Sequence, residues 1–110
     1  MKLENKEFTF DSFLSEMTKL KQEKHFDYLV TIVGEDFGPE EGLGCIYILE
    51  NTETHERISV KQLAKQVGDE YVIPSLYYVW ADVNLLEREV FGFFGIKFLG
   101  HPDRRRLYMR

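Results

Sequence analysis

The residues best equipped for chemistry crowd the last stretch of this chain, "EREVFGFFGIKFLGHPDRRRLYMR", which runs from Glu87 to Arg110. His101 and Asp103 flank a proline, and a His–Asp pair can serve as a general base and its orienter. No serine or cysteine stands in a recognisable nucleophile motif nearby. A pair two residues apart in a loop is also poorly placed for proton transfer. A loop histidine or a partner contact is therefore favoured over catalysis. Arg104, Arg105 and Arg106 could bind phosphates. However, no glycine-rich phosphate loop accompanies them, and arginine is also the cation favoured at protein interfaces, because its planar fork pairs with carboxylates. His25, His55 and His101 are scattered and show no helical spacing suited to metal ligation.

The bulk composition narrows the choice. The 110 residues suit a single domain spanning 1–110. A chain of this size buries roughly two thirds of its unfolded surface. Hydrophobic residues make up 44% and aromatics 15%, which argues against disorder. The formal net charge of −5 argues against nucleic-acid binding. The acidic excess lies in runs such as "GEDFGPEEG", whereas the seven residues from Arg104 carry four arginines and no acid. Cys45, the single cysteine, sits in apolar "LGCIYIL" and reads as a buried small hydrophobe in a reducing compartment. No run reaches the ~20 apolar residues of a membrane span. "MKLENKEFTF" lacks the apolar centre of a signal peptide. A soluble, cytosolic chain is expected.

These residues must be positioned by a scaffold whose outline is periodic. Asp11 or Ser12 can cap a helix that carries Phe13, Leu14, Met17 and Leu20 and runs to about Lys24. "HFDYLVTIVG" alternates as a strand, with Phe26, Tyr28, Val30 and Ile32 on one face and Leu29 and Val33 on the other. "EDFGPEEG" is a loop and "LGCIYILEN" a second strand. Ser59 could cap a short helix holding Leu63 and Val67, but Arg57–Leu63 also alternates as a strand beside the second one; the strand is preferred because a two-stranded sheet would be marginal. Pro74-Ser75 opens a new element, in which Leu76, Val79, Trp80 and Val83 recur at helical spacing. A second helical piece spans about Asn84 to Phe94, with Val83, Leu86, Val90, Phe93 and Phe94 on its apolar side. Gly95 is placed to end it with a left-handed cap. "IKFLG" reads as a short edge strand and "HPDRRR" as an extended tail.

On that second helix Arg88 falls nearly opposite the apolar side, with Gly92 one turn further along the same ridge. Glu87 and Glu89 flank the apolar side. The plain reading is a solvated surface with ion pairs worth ~0.3–0.5 kcal/mol each. Gly92 does not fit it, since a mid-helix glycine costs about 1 kcal/mol against alanine. Close approach of another backbone to the ridge would explain it.

Taken together, "ERE", an aromatic, "FFGI", an aromatic and "GHPD" with paired arginines resemble the signature of the 30-kDa subunit family of respiratory complex I. In bacteria its members are the C-type subunits of NADH–quinone oxidoreductase; a related subunit of energy-converting nickel–iron hydrogenases is similar. The pattern falls on Glu87, Arg88, Glu89, Phe91, Phe94, Gly95, Ile96, Phe98, Gly100, His101, Pro102, Asp103, Arg105 and Arg106. Pro74, Ser75 and Trp80 resemble its lead-in. Gly92 stands where the family usually has Asp, and Arg104 where it usually has an apolar residue.

The resemblance implies a subunit with no cofactor of its own, docked on the 49-kDa-type (D-type) subunit or on a hydrogenase large subunit. FMN, iron–sulfur clusters or nickel–iron would belong to the partners. Neighbouring hydrophilic-arm subunits would complete the contacts, and the membrane would be met only through the complex, at its cytoplasmic face. The motif residues Glu87, Arg88, Glu89, Gly92, Phe94, Gly95, Gly100, His101, Pro102, Asp103, Arg105 and Arg106 would form a fold-and-dock element. The expected fold is α+β, with an N-terminal helix and a C-terminal helical pair on one small mixed sheet of about four strands. A free-standing protein-binding domain is the reading from another class, and a hydrolase using His101 comes last.

Overall fold

The computed structural model describes residues 3–80 and 83–100, with side-chain surroundings from residue 6 onward. The tail from His101 to Arg106 lies outside the described residues, together with the expectations placed on it. The observed order is β1 (Leu3–Glu7), α1 (Phe13–Gln22), β2 (Tyr28–Asp36), β3 (Leu43–Asn51), β4 (Glu56–Leu63), β5 (Lys65–Val67), β6 (Glu70–Pro74), α2 (Val83–Phe94) and β7 (Ile96–Leu99). The fold is α+β, as expected, but strands dominate it. They form two sheets rather than one, ordered β1-β4-β3-β2 and β5-β6-β7. Both are mixed: β1 runs parallel to β4 and β7 parallel to β6, while the remaining pairs are antiparallel.

The central meander β2–β3–β4 follows from alternation. Cys45, Tyr47 and Leu49 on β3 and Ile58 and Val60 on β4 point into one core. On β2 the expected alternation is broken. Pairing steps from Leu29 opposite Leu49 to Thr31 opposite Ile48, which leaves Val30 as the extra residue of a bulge. Leu29 and Ile32, three apart, therefore both face inward, while Tyr28 and Val33 are exposed. β1 carries the polar sequence "LENKE" and has no apolar stripe to announce it. It is an edge strand, and such polarity suits an edge.

α1 lays Phe13, Met17 and Leu20 on this core, with the Phe13 ring 5.2 Å from that of Tyr47. Ser12 occupies the N-cap position but makes no side-chain cap bond into the helix; its hydroxyl lies 2.8 Å from Thr9 Oγ1 instead. The expected helical pair at the C-terminal end is a turn followed by one helix. Residues 77–79 form a turn, in which the Val79 and Trp80 amides donate to the Leu76 carbonyl at 2.9 Å. Among the described residues from Ser75 onward, only Val83–Phe94 is α-helical. Val83 and Val90 from α2 join Ile73, Ile96 and Phe98 from the second sheet in the same hydrophobic cluster as α1 and the meander.

α2 is seated by a close approach. A Cβ built on Gly34 of β2 would stand 2.5 Å from Phe94 Cδ2, so the Phe94 ring fits only because position 34 has no side chain. Gly95 then ends the helix at φ 73°, the left-handed cap expected there. Gly34→Ala should force that ring aside and cost ~1–3 kcal/mol in urea denaturation. Pairing it with Phe94→Leu should recover part of the loss; full additivity of the two substitutions would show that the contact does not seat the helix.

Candidate docking surface

The two sides of α2 differ sharply. Inward, Val83, Glu87 and Val90 are buried, and Phe94 is half-buried against Gly34. Outward, Arg88, Glu89 and Gly92 are exposed, Leu85 is 61% exposed and Phe93 87%. Phe93 thus leaves the apolar side on which helical spacing had put it. Leu85, Glu89 and Phe93 follow at four-residue intervals and share a face. A Cβ at Gly92 would meet nothing within 4 Å, so no contact inside the described chain accounts for this glycine. Two large apolar side chains beside an open backbone make a surface suited to another protein, not a solvated ridge of ion pairs.

Glu87 is the residue that sequence reasoning misplaced. Rather than flanking the apolar side, its side chain is fully buried. Oε1 accepts from the Ser75 hydroxyl at 2.8 Å, and Oε2 accepts from the Leu76 amide at 2.9 Å. Ser75 Oγ in turn accepts from the Tyr77 amide at 3.1 Å. One carboxyl therefore ties α2 to the turn that leads into it. Burial pushes its pKa up to about 7, against the opposing pull of the Leu76 and Ser75 bonds. The Cys45 thiol is pushed to about 12, first by burial and then by Glu87. Burial likewise holds Tyr47 well above the ordinary phenol range. The signal available in the sequence was Pro74-Ser75 itself: a serine that starts a turn needs a hydrogen-bond partner.

Of the remaining motif residues, Ile96 and Phe98 are buried in β7, and Gly100 adopts φ 85° directly after it. The structure therefore brings Glu87, Phe94 and Gly95 together as seating elements and turns Arg88, Glu89 and Gly92 outward. His25 and His55 are both exposed, and both adopt φ 63°. Among the described residues no group of three or more His, Cys, Asp or Glu side chains is gathered to hold a metal.

This arrangement defines a small α+β domain with one helix face that exposes Leu85 and Phe93. Residues 7–110 match the family described as respiratory-chain NADH dehydrogenase, 30 Kd subunit, and the chain belongs to that family. It is 45% identical over 95 residues to the C/D subunit of an NADH-quinone oxidoreductase from Phocaeicola vulgatus, covering 86% of this chain and 18% of that protein. It is 34% identical over 97 residues to the C-type subunit of an NADH-quinone oxidoreductase from Moorella thermoacetica, covering 88% of this chain and 64% of that protein. The chain thus spans about a fifth of the C/D relatives and under two thirds of the Moorella one. Among solved structures, the trypsin-resistant fragment (1-134) of Nqo5 superposes with a TM-score of 0.78 at 29% identity, covering 88% of this chain and 79% of that one. A chain of the membrane-bound sulfane sulfur reductase, an archaeal respiratory membrane complex, shares the fold at TM-score 0.78 and 23% identity, covering 98% and 69% respectively.

Ser75→Ala removes a donor to the buried carboxyl and an acceptor for the Tyr77 amide. It should lower stability by ~1–3 kcal/mol in denaturant titration. Phe93→Ser, on the outer face, should change stability by no more than about 0.5 kcal/mol. The reverse order of effects would mean that the two sides of α2 are wrongly assigned.

Proposed function

We propose that this chain is a non-catalytic peripheral-arm subunit of a membrane-associated NADH–quinone oxidoreductase. It docks on the 49-kDa-type subunit through the outer face of α2 and the segment from His101 to Arg106. The observation that carries this reading is the unsupported outer face: Leu85 and Phe93 are exposed on either side of Glu89, and Gly92 is open on the same helix. The names of the curated relatives support it, since C and D are joined in one chain in some of them. Those names also favour an NADH–quinone oxidoreductase over a hydrogenase complex.

In this reading the chain holds no cofactor. An iron–sulfur cluster takes about four cysteine ligands, and Cys45 is single and buried. Flavin and clusters belong to partner subunits. Among the described residues no helix is long and apolar enough to cross a membrane. In the same reading, attachment to the cytoplasmic face of the membrane runs through the complex. Glu87, Phe94 and Gly95 hold the docking helix in place, while Arg88, Gly92, Phe93 and the paired Arg105 and Arg106 meet the partner.

A standard interface buries roughly 800 Å² on each side, so these residues form only its centre. Phe93→Ser should weaken assembly by ~2 kcal/mol or more if the ring enters a partner pocket, and should leave the fold intact. Arg105→Ala with Arg106→Ala should weaken it further where those forks meet carboxylates. The measurement is co-purification with the 49-kDa-type subunit alongside thermal denaturation of the full chain. A folded Phe93→Ser variant that assembles like the parent would remove α2 from the interface.

A further inference from the structure

A fully buried carboxyl with no cation opposite it among the described residues is an unusual way to fasten a helix. Charged groups are rarely buried unless paired. Among the described residues Glu87 meets only neutral donors: the Ser75 hydroxyl and the Leu76 amide. From β3 it faces the Cys45 thiol and the Tyr47 hydroxyl, both held neutral by their burial. Tyr47 Oη makes no well-formed hydrogen bond among the described residues, so it offers Glu87 no compensating donor. On α2 itself, Arg88 and Glu89 are exposed, away from the buried carboxyl.

We propose that the Glu87 carboxyl is a proton-operated latch, which clasps α2 to the 75–80 turn when neutral and loosens that joint when it ionises. The geometry accommodates the proton. A neutral carboxyl can donate through Oε1 to Ser75 Oγ while Oε2 still accepts from the Leu76 amide. Ionised, the carboxyl accepts from the Ser75 hydroxyl and the Leu76 amide, but those two neutral donors are all it has among the described residues against the cost of burying a full charge. Because α2 carries the exposed Leu85–Phe93 face on its other side, the latch sets how firmly that face is presented. The latch itself is a property of this chain and stands whether or not the docking assignment holds.

The direction of the linkage follows from the raised pKa. With a pKa of about 7 in the folded chain against an ordinary 4.5, the folded state holds the proton more tightly than the unfolded state. Stability from this group is full below about pH 4.5, declines as pH rises through the window to about 7, and is flat above it. Across that window the folding equilibrium constant should fall roughly 300-fold more in the parent than in Glu87→Gln, which cannot ionise.

The experiment uses the full chain. Carboxyl-carbon NMR gives the Glu87 midpoint directly, and urea denaturation from pH 4 to 8 compares the parent with Glu87→Gln. A midpoint near 7, and curves that converge as pH falls, support the latch. A midpoint near the ordinary value, or parallel curves, overturns it. If Glu87→Gln does not fold, Ser75→Ala decides: losing a donor to the ionised form should move the Glu87 midpoint further up. A purely structural serine would leave that midpoint where it is, and the latch would fail. Amide protection of Leu76 and Tyr77, corrected for intrinsic exchange rates, should fall above the midpoint in the parent; unchanged protection would also overturn the proposal.

Discussion

The burial of one carboxyl is the constraint on which the C-terminal half of the molecule depends. α2 touches β2 through Phe94 over Gly34, but that contact fixes only its far end. Its near end is held by Glu87, whose two oxygens take the Ser75 hydroxyl and the Leu76 amide. The Ser75 amide meanwhile donates to the Leu99 carbonyl at 2.7 Å, which carries the β6–β7 pairing one residue further. Turn, helix and second sheet are therefore joined at a single serine. A hydrophobic contact could have filled the same space. A carboxyl adds direction, because its bonds are satisfied only when α2 has one rotation about its axis. That rotation is what turns Leu85 and Phe93 outward.

The helix and the meander were legible for simple reasons. Phe13, Met17 and Leu20 recur at helical spacing, and Cys45, Tyr47 and Leu49 alternate without interruption, so period alone placed them. β2 misled because a bulge shifts the period by one residue, and nothing in "YLVTIV" marks Val30 as the extra one. β1 was missed because it is held by backbone pairing to β4 and shows no apolar stripe. The 76–80 segment has helical spacing because Leu76 and Trp80 enter the core and Val79 packs against it, yet it closes only a turn.

The candidate surface was half legible. Gly92 stood out as a glycine that a helix should not want, and the structure gives it no internal use among the described residues. Arg88 does face outward, as its wheel position implies. Phe93 sits on the side opposite to the one that spacing assigns, and Glu87 is buried rather than flanking the apolar side. Spacing treats glutamate as polar and phenylalanine as apolar, and here the polar residue is inside and the apolar one outside. Such inversions violate ordinary patterning: the buried glutamate fastens the helix, and the phenylalanine stands bare on its outer face. The family motif contains both kinds of residue, and only three-dimensional placement separates them.

The parallel pairings also bear on how the chain is made. β2, β3 and β4 are neighbours in sequence and can pair as each emerges. β1 cannot: Leu3 pairs with Arg57 and Glu7 with Lys61, so this strand has no place to bind until β4 exists. β7 stands in a similar position at the other end, adding to β6 only after α2 has crossed between them. Closing such long loops costs entropy before any contact rewards it. Among the described residues the order of assembly therefore runs outward from the central meander.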